Sequence, residues 1–335
     1  MKVLHLVDTE INNKAYKEAY VMKKRGIQQE VICVGEGDPS FMYIFDEVTS
    51  CFLGQYPDKI VESDADVIIV HDRPNTMAPI IEKIRKYRDT RPVVYECYDL
   101  WYNLGKDYGI HNENEYYMLA TSDLVAHVGY LNRNASHEAY NYSNNEIYLD
   151  SKTPRDWIPK KSSEKIGTIV YEGGAAFHNE KYRPKTMEFR DLYDVYWGFR
   201  KHGYITDIYA ANEKLLDYPT ICGLRYFDLL AKLTEYEWGF LGSTQDYNPV
   251  LAVAAPCKVW EYSMAGLPII AMNMDDVVDQ TNKGGIIKCH SVDEAVEIMH
   301  SVDREALAKE SFETCRYLDD EIDILIDACK KLIKE

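Results

Sequence analysis

The stretch Pro256-Cys-Lys-Val-Trp-Glu-Tyr-Ser-Met-Ala-Gly-Leu-Pro-Ile-Ile-Ala271 constrains this chain more than any other. Val259, Tyr262 and Met264 or Ala265 recur at roughly helical spacing, so its first half reads as a short helix. Pro256 suits the start of that helix and Gly266 its C-terminal cap. Residues 267–271 are apolar enough for a strand buried on both faces, as in a parallel sheet between helical layers. Lys258 and Glu261 stand three residues apart and share one helix face. Charges in so apolar an element need partners, and a ligand would serve. An ordinary surface ion pair is the competing explanation.

The same succession of buried strand, polar loop and helix recurs along the chain. Residues 1–8 read as an opening strand, with Val3, Leu4, Leu6 and Val7 apolar. Asn12 or Asn13 would cap a helix reaching Lys24 and ending at Gly26, and residues 29–34 form a second strand. This is the start of a Rossmann-like half. The loop over residues 9–14 has no G-x-G-x-x-G, which disfavours a dinucleotide cofactor of the usual kind. Residues 65–70, 91–97 and 123–128 read as further strands, with helices over 77–86 and 108–119. His71, Asp72, Arg73 and Asn75 follow one of these strands; Tyr98, Asp99 and Trp101 follow the next. Polar groups there lie at the carboxyl edge of the sheet, where open α/β folds bind ligands.

Composition turns to Asn, Ser, Lys and Pro over residues 141–164, an expected exposed linker, and 335 residues suffice for two domains. A new strand begins near Ile166 and leaves at Glu172-Gly173-Gly174. Glycines there let backbone approach a bulky ligand, and their N–H groups can hold phosphate; a plain turn would look the same. Lys181, Arg183, Lys185 and Arg190 crowd the following loop, either to neutralise phosphate or as a solvated surface. Helices over 191–202, 227–233 and 292–300 alternate with strands over 205–210, 238–241 and 285–288. Residues 312–334 read as one long amphipathic helix with Cys315, Leu318, Ile322, Leu325, Ile326 and Cys329 on one face.

The run 256–271 resembles the C-terminal-domain signature of GT-B glycosyltransferases of family 4, P-x-K-x-x-E-Y-x-x-A-G-x-P-[VI]-[IV]-A, through Pro256, Lys258, Glu261, Tyr262, Ala265, Gly266 and Pro268. The strand exits V-I-x-V-H-x-R-P-N and V-V-Y-x-x-x-D-L-W are similar to the acceptor domain of the same enzymes. The resemblance implies an α/β GT-B fold of two Rossmann-like domains facing across a cleft, with domain closure about the linker. Residues 1–155 would be the acceptor domain, 165–310 the nucleotide-sugar donor domain, and 311–335 a C-terminal helix packing back on the N-terminal domain. It further implies retaining transfer from a UDP- or GDP-sugar held by Gly173, Gly174, Arg183, Lys185, Lys258 and Glu261, with Glu261 accepting from the ribose hydroxyls. His71, Asp72, Tyr98 and Asp99 would be the catalytic groups, and Arg73, Asn75 and Trp101 would lie on the acceptor side. Two positions depart from the family: Tyr98 stands where many members have His, and Val253 where many have the first of two glutamates.

A net charge of −17 argues against a nucleic-acid or anionic-membrane partner. The acceptor would be a glycan, a lipid-linked sugar or a small molecule, with a modified nucleobase of DNA as a minority variant. No metal and no cofactor are expected, the nucleotide-sugar being a substrate. Asp64 and Asp66 have the spacing of a metal pair but precede a strand, at the wrong edge of the sheet, and Asp275-Asp276 sits in a charged loop. The eight cysteines form no C-x-x-C pair, and no apolar run reaches membrane-spanning length, so a reduced, cytoplasmic protein is expected. A nucleotide-sugar 2-epimerase and a degenerate protein that binds a nucleotide-sugar without turnover are the alternatives.

Overall fold

The computed structural model describes residues 1–8, 13–35, 39–104, 111–162, 165–173, 192–209, 220–221, 224–244, 256–275, 278–279 and 284–334. Gly174, Arg183, Lys185, Val253 and Asp276 lie outside the described residues. The chain divides into two compact units, one of Met1–Asn103, Gly109–Pro154 and Tyr317–Glu335, the other of Leu104–Tyr108 and Arg155–Arg316.

The first unit holds seven strands: β1 Lys2–Val7, β2 Gln28–Cys33, β3 Glu47–Ser50, β4 Val67–His71, β5 Val93–Cys97, β6 Leu124–His127 and β7 Glu146–Tyr148. Every pairing is parallel, in the order β3-β2-β1-β4-β5-β6-β7. β4 and β5 are buried at every position, which their Val and Ile content suits. Val3, Val67, Ile69, Val94 and Leu124 meet Val21 and Met22 of the Asn13–Lys24 helix in one core.

The second unit holds β8 Thr168–Glu172, β9 Ile205–Tyr209, β10 Thr220–Ile221, β11 Trp238–Gly242, β12 Ile269–Met272 and β13 Ile286–Cys289. They pair in parallel in the order β10-β9-β8-β11-β12-β13. Counted from β8 this is the 3-2-1-4-5-6 order of doubly wound sheets. In both units the winding reverses beside the first strand, between β1 and β4 and between β8 and β11. Loops leaving the paired strands there diverge and open a crevice at their carboxyl ends.

Two expectations are corrected. Residues 141–164 are not simply an exposed linker: they contain edge strand β7 and the buried Leu149, Lys152, Thr153 and Trp157. β7 has three residues and β3 four, none of them fully buried, so both are too short and too open to carry the apolar signal of a central strand. Residues 312–334 are not one helix. The Arg304–Thr314 helix stops at Cys315, whose extended backbone (ψ 130°) leads to a 3-10 turn over Leu318–Asp320 and then the Ile322–Lys334 helix. The Cys315 thiol points to the Trp260 carbonyl of the second unit, whereas Leu318, Ile322, Leu325, Ile326 and Cys329 enter the first unit's core. The apolar period continues across the break because both sides are buried, in different cores.

The closing helix is therefore part of the first unit's core. Leu325→Ala, at a fully buried position, is expected to cost about 2–5 kcal/mol. Ile324→Ala, on the exposed side, should stay within about 0.5 kcal/mol. Urea unfolding of the full chain measures both.

Candidate functional site

At the second unit's switch point, β8 ends at Glu172 and the chain turns at Gly173 with φ 111°, a conformation that side chains other than glycine's rarely adopt. A Cβ there would lie 3.0 Å from the Lys258 ammonium. Lys258 opens the Lys258–Met264 helix and rests its ammonium 4.1 Å from the centre of the Tyr171 ring, a cation–π contact. One turn on, Glu261 is buried and its Oε1 accepts a 2.6 Å hydrogen bond from the Tyr226 hydroxyl. Burial and Glu261 together push the Tyr226 phenol well above its usual range, so it stays a donor. Next in line, the Tyr262 hydroxyl accepts from the Glu172 backbone N–H (3.0 Å) and donates to the Phe240 carbonyl (3.2 Å). The helix is thereby fixed to the end of β8 and the middle of β11, and Gly266 (φ 73°) turns the chain into β12. Gly173, Lys258 and Glu261 thus share this edge; Gly174, Arg183 and Lys185 lie outside the described residues.

At the first unit's switch point the carboxyl ends of β1, β4 and β5 carry a buried polar network on the face covered by the Asn13–Lys24 helix. Gln29 donates its amide N–H to the Ile27 carbonyl (3.0 Å), which leaves its Oε1 to accept from His5 Nε2–H (2.8 Å). Burial, and then His71, push His5 down to about 3, so His5 is neutral and its Nδ1 accepts from His71 Nε2–H (2.7 Å). His71 Nδ1 then faces the Tyr98 hydroxyl and, at 2.7 Å, Glu96 Oε2. Tyr98 also donates to Glu96. Lys14 completes the network, 3.3 Å from Glu96 Oε1, 3.2 Å from Glu18 Oε1 and 4.5 Å from the Tyr98 ring centre. Burial opposes the charges of Glu96 and Lys14. Lys14 and His71 outweigh it and hold Glu96 well below the carboxylate range, and Glu18 and Glu96 raise Lys14. Burial and the neighbouring Glu96 push Glu18 the other way, well above that range.

Asp72 points to the other face. It and Arg73 both adopt left-handed backbone (φ 53° and 56°), a strained pair at the end of β4. The buried Asp72 carboxylate accepts from the Trp101 indole N–H at 3.2 Å, and burial, then Asp99, push its pKa well above the usual range. The exposed Arg73 guanidinium lies 5.6 Å from the centre of the Trp101 ring and 3.6 Å from Asp8. Asn75 accepts from Asn114 (3.2 Å), and Asp99 is exposed on the loop after β5. His71, by contrast, is fully buried behind Tyr98, whose hydroxyl turns inward.

Lys14, Glu18, Glu96, His5 and Gln29 went unnoticed in the sequence. Their signal was present: His5 and Glu96 interrupt otherwise apolar strands, and Lys14 and Glu18 lie four apart on the buried side of an amphipathic helix. Ligand atoms of Glu18, His71 and Glu96 lie within 4.8 Å of one another, close enough for a metal ion. The Lys14 ammonium already serves as the cation between the two carboxylates. Asp64 and Asp66 instead bind Lys2, through its side chain (2.5 Å) and its backbone N–H (2.7 Å), at the amino edge of the sheet.

Lys14→Met should cost about 3–5 kcal/mol at pH 7.5, because it leaves Glu96 buried without its cation. Glu96, depressed in the folded state, contributes stability above its unfolded value of 4.5 and loses it as pH falls through its lower folded value. Glu18, raised, contributes in the opposite sense, below 4.5 and lost as pH rises. The loss in Lys14→Met should therefore shrink at acid pH. Equal losses in urea unfolding at pH 7.5 and 4.5 would make Lys14 a space-filling residue only.

No family model and no curated protein matches the sequence. Solved structures do. Sucrose-phosphate synthase from Thermosynechococcus elongatus superposes with a TM-score of 0.71 at 9% identity, over 100% of both chains. HepE from Anabaena, crystallised with UDP-glucose, gives a TM-score of 0.69 at 12% identity, over 98% of this chain and 100% of that one. A UDP-GlcNAc 2-epimerase from Methanocaldococcus jannaschii, crystallised with UDP-GlcNAc and UDP, gives 0.55 at 12% identity, over 98% and 100%. At such identities the likeness speaks to architecture, and with two parallel doubly wound sheets matched over the whole length, the chain has the GT-B fold.

Proposed function

We propose that the protein is a glycosyltransferase that moves a sugar from a nucleotide-sugar, a UDP- or GDP-sugar, to an acceptor hydroxyl, with retention and without a metal. The observation that carries the reading is the group at the β8 edge: a glycine turn, a cation and a buried carboxylate, all on one short segment of sheet and helix. A nucleoside diphosphate needs those three things. Backbone must come close to the phosphates, a positive group must stabilise the departing diphosphate, and an acceptor must bind the ribose hydroxyls. Gly173 supplies the first, Lys258 the second and Glu261 the third. Gly174, Arg183 and Lys185 belong to the same proposal through the family resemblance. Crystals of HepE with UDP-glucose lend support, since that protein shares the fold.

In the transfer step the acceptor oxygen bonds to the sugar C1 on the face from which the diphosphate departs, as the C1–O(phosphate) bond breaks and the diphosphate leaves with the electron pair, so the configuration at C1 is kept. Asp99, the exposed carboxylate after β5, takes the acceptor proton. Asp72, Arg73 and Trp101 form the acceptor-side surface, and Asn75 its rim. His71 and Tyr98 act from beneath it, as the buried support of β4 and β5.

A second reading, a nucleotide-sugar 2-epimerase, is favoured by the M. jannaschii neighbour. It predicts altered sugar from the donor alone.

Thermal stability against UDP-, GDP-, ADP-, CDP- and dTDP-sugars tests the donor site. A ligand at 100 times its Kd should add about 2.7 kcal/mol. One nucleotide series should stabilise the protein, EDTA should not change the shift, and Glu261→Ala should abolish it while leaving the far-UV spectrum unchanged. A folded protein that responds to no nucleotide-sugar would refute the assignment; product from donor alone would select the epimerase.

A further inference from the structure

We propose that Glu115 is a positioning residue that holds Trp101, and through it Asp72, in place at the carboxyl edge of β4; the functional meaning rests on reading that edge as the acceptor side. Glu115 lies in the Glu113–Thr121 helix and is fully buried. Its Oε1 accepts from the Trp101 backbone N–H at 2.7 Å and its Oε2 from the Tyr102 backbone N–H at 2.9 Å. The Tyr140 hydroxyl donates to Oε2 as well. Trp101 in turn gives its indole N–H to Asp72 and its ring to Arg73. One carboxylate thus fixes the backbone of the residue whose side chain carries two acceptor-side groups.

The chemistry requires a carboxylate. Three donors converge on Glu115, and both oxygens must accept. A glutamine of the same shape would offer one oxygen and turn an NH2 toward an N–H, so one backbone donor would lose its partner. An asparagine or aspartate would not span the distance from the helix to the loop.

Burying that carboxylate has a titration consequence. The groups around it are Tyr140 from the helix after β6, Asp99 from the loop after β5, and Cys97 and Tyr95 on β5; His111 stacks edge-on against Tyr140 at 5.0 Å. Asp72 acts with Glu115 on the Tyr95 phenol, whose hydroxyl has no hydrogen-bond partner among the described residues. Burial raises Glu115 to about 7, against the downward pull of Tyr140 and of the two backbone N–H groups. Folding stability from this group is fully present below its unfolded value of 4.5 and is lost as pH rises to about 7. The grip on Trp101 runs the other way. It is complete only when Glu115 is ionised, above about 7, and weakens on protonation because one oxygen then carries a hydrogen.

The test uses the full chain labelled with 5-fluorotryptophan, with the Trp101 resonance identified by Trp101→Phe among the five tryptophans. At pH 8, Glu115→Gln should displace the Trp101 resonance and leave the others in place. In the wild type the Trp101 resonance should titrate with a midpoint near 7 toward the position seen in Glu115→Gln. If turnover is established, kcat should fall about 10- to 100-fold while stabilisation by the donor is unchanged. A Trp101 resonance that is the same in Glu115→Gln and wild type at pH 8 overturns the proposal. Should Glu115→Gln not fold, Tyr140→Phe takes its place: loss of one donor should move the wild-type midpoint to higher pH, and an unmoved midpoint overturns the proposal. Absence of any donor response would refute the functional reading alone, because the fluorine signal reports on Glu115 without it.

Discussion

The buried ammonium of Lys14 is the interaction on which the first unit's sheet edge depends. It joins the Asn13–Lys24 helix to β5 through Glu96, and Glu96 joins β5 to β4 through His71 and Tyr98. His71 passes the connection to β1 through His5 and to β2 through Gln29. Four neighbouring strands are thus tied by side chains, beyond their backbone pairing. Removing the cation would leave a carboxylate that the surrounding apolar sheet cannot solvate.

This network sits under the candidate acceptor surface and is not part of it. The alternation of side chains along β4 sends His71 to the helix-covered face and Asp72, through its left-handed turn, toward Trp101. The rigid layer lies below and the groups able to meet a ligand lie above. Preorganised sites need such support, because a reacting group displaced by an ångström loses much of its effect. The second unit builds its edge by another means: a glycine turn and a short helix whose Tyr262 hydroxyl bridges Glu172 of β8 and Phe240 of β11.

Much of this was legible in the sequence. The central strands announced themselves through unbroken runs of Val and Ile, and the turn at Gly266 through its position between helix and strand. The co-location of Lys258 and Glu261 followed from helical spacing alone. Edge strands β3 and β7 were not legible, since an edge needs few apolar residues and runs of four and three residues are too short to show a period. Nor was the break at Cys315, because an apolar period does not reveal that consecutive turns enter different cores.

The sequence by itself determined the α/β class and the residues at each strand exit, because these follow from local periodicity and from where polar groups interrupt it. Tertiary structure alone decided which of those residues face outward. His71 and Tyr98 looked like site residues, yet His5, 66 residues away, and Glu96, 25 residues away, close His71 inside, and the Tyr98 hydroxyl turns in to His71 and Glu96. Glu115 carried no motif at all; its place under Trp101 arises because a helix packs beside the end of β5. Long-range pairing of charges depends on which strands lie side by side, and no spacing in the chain encodes that order.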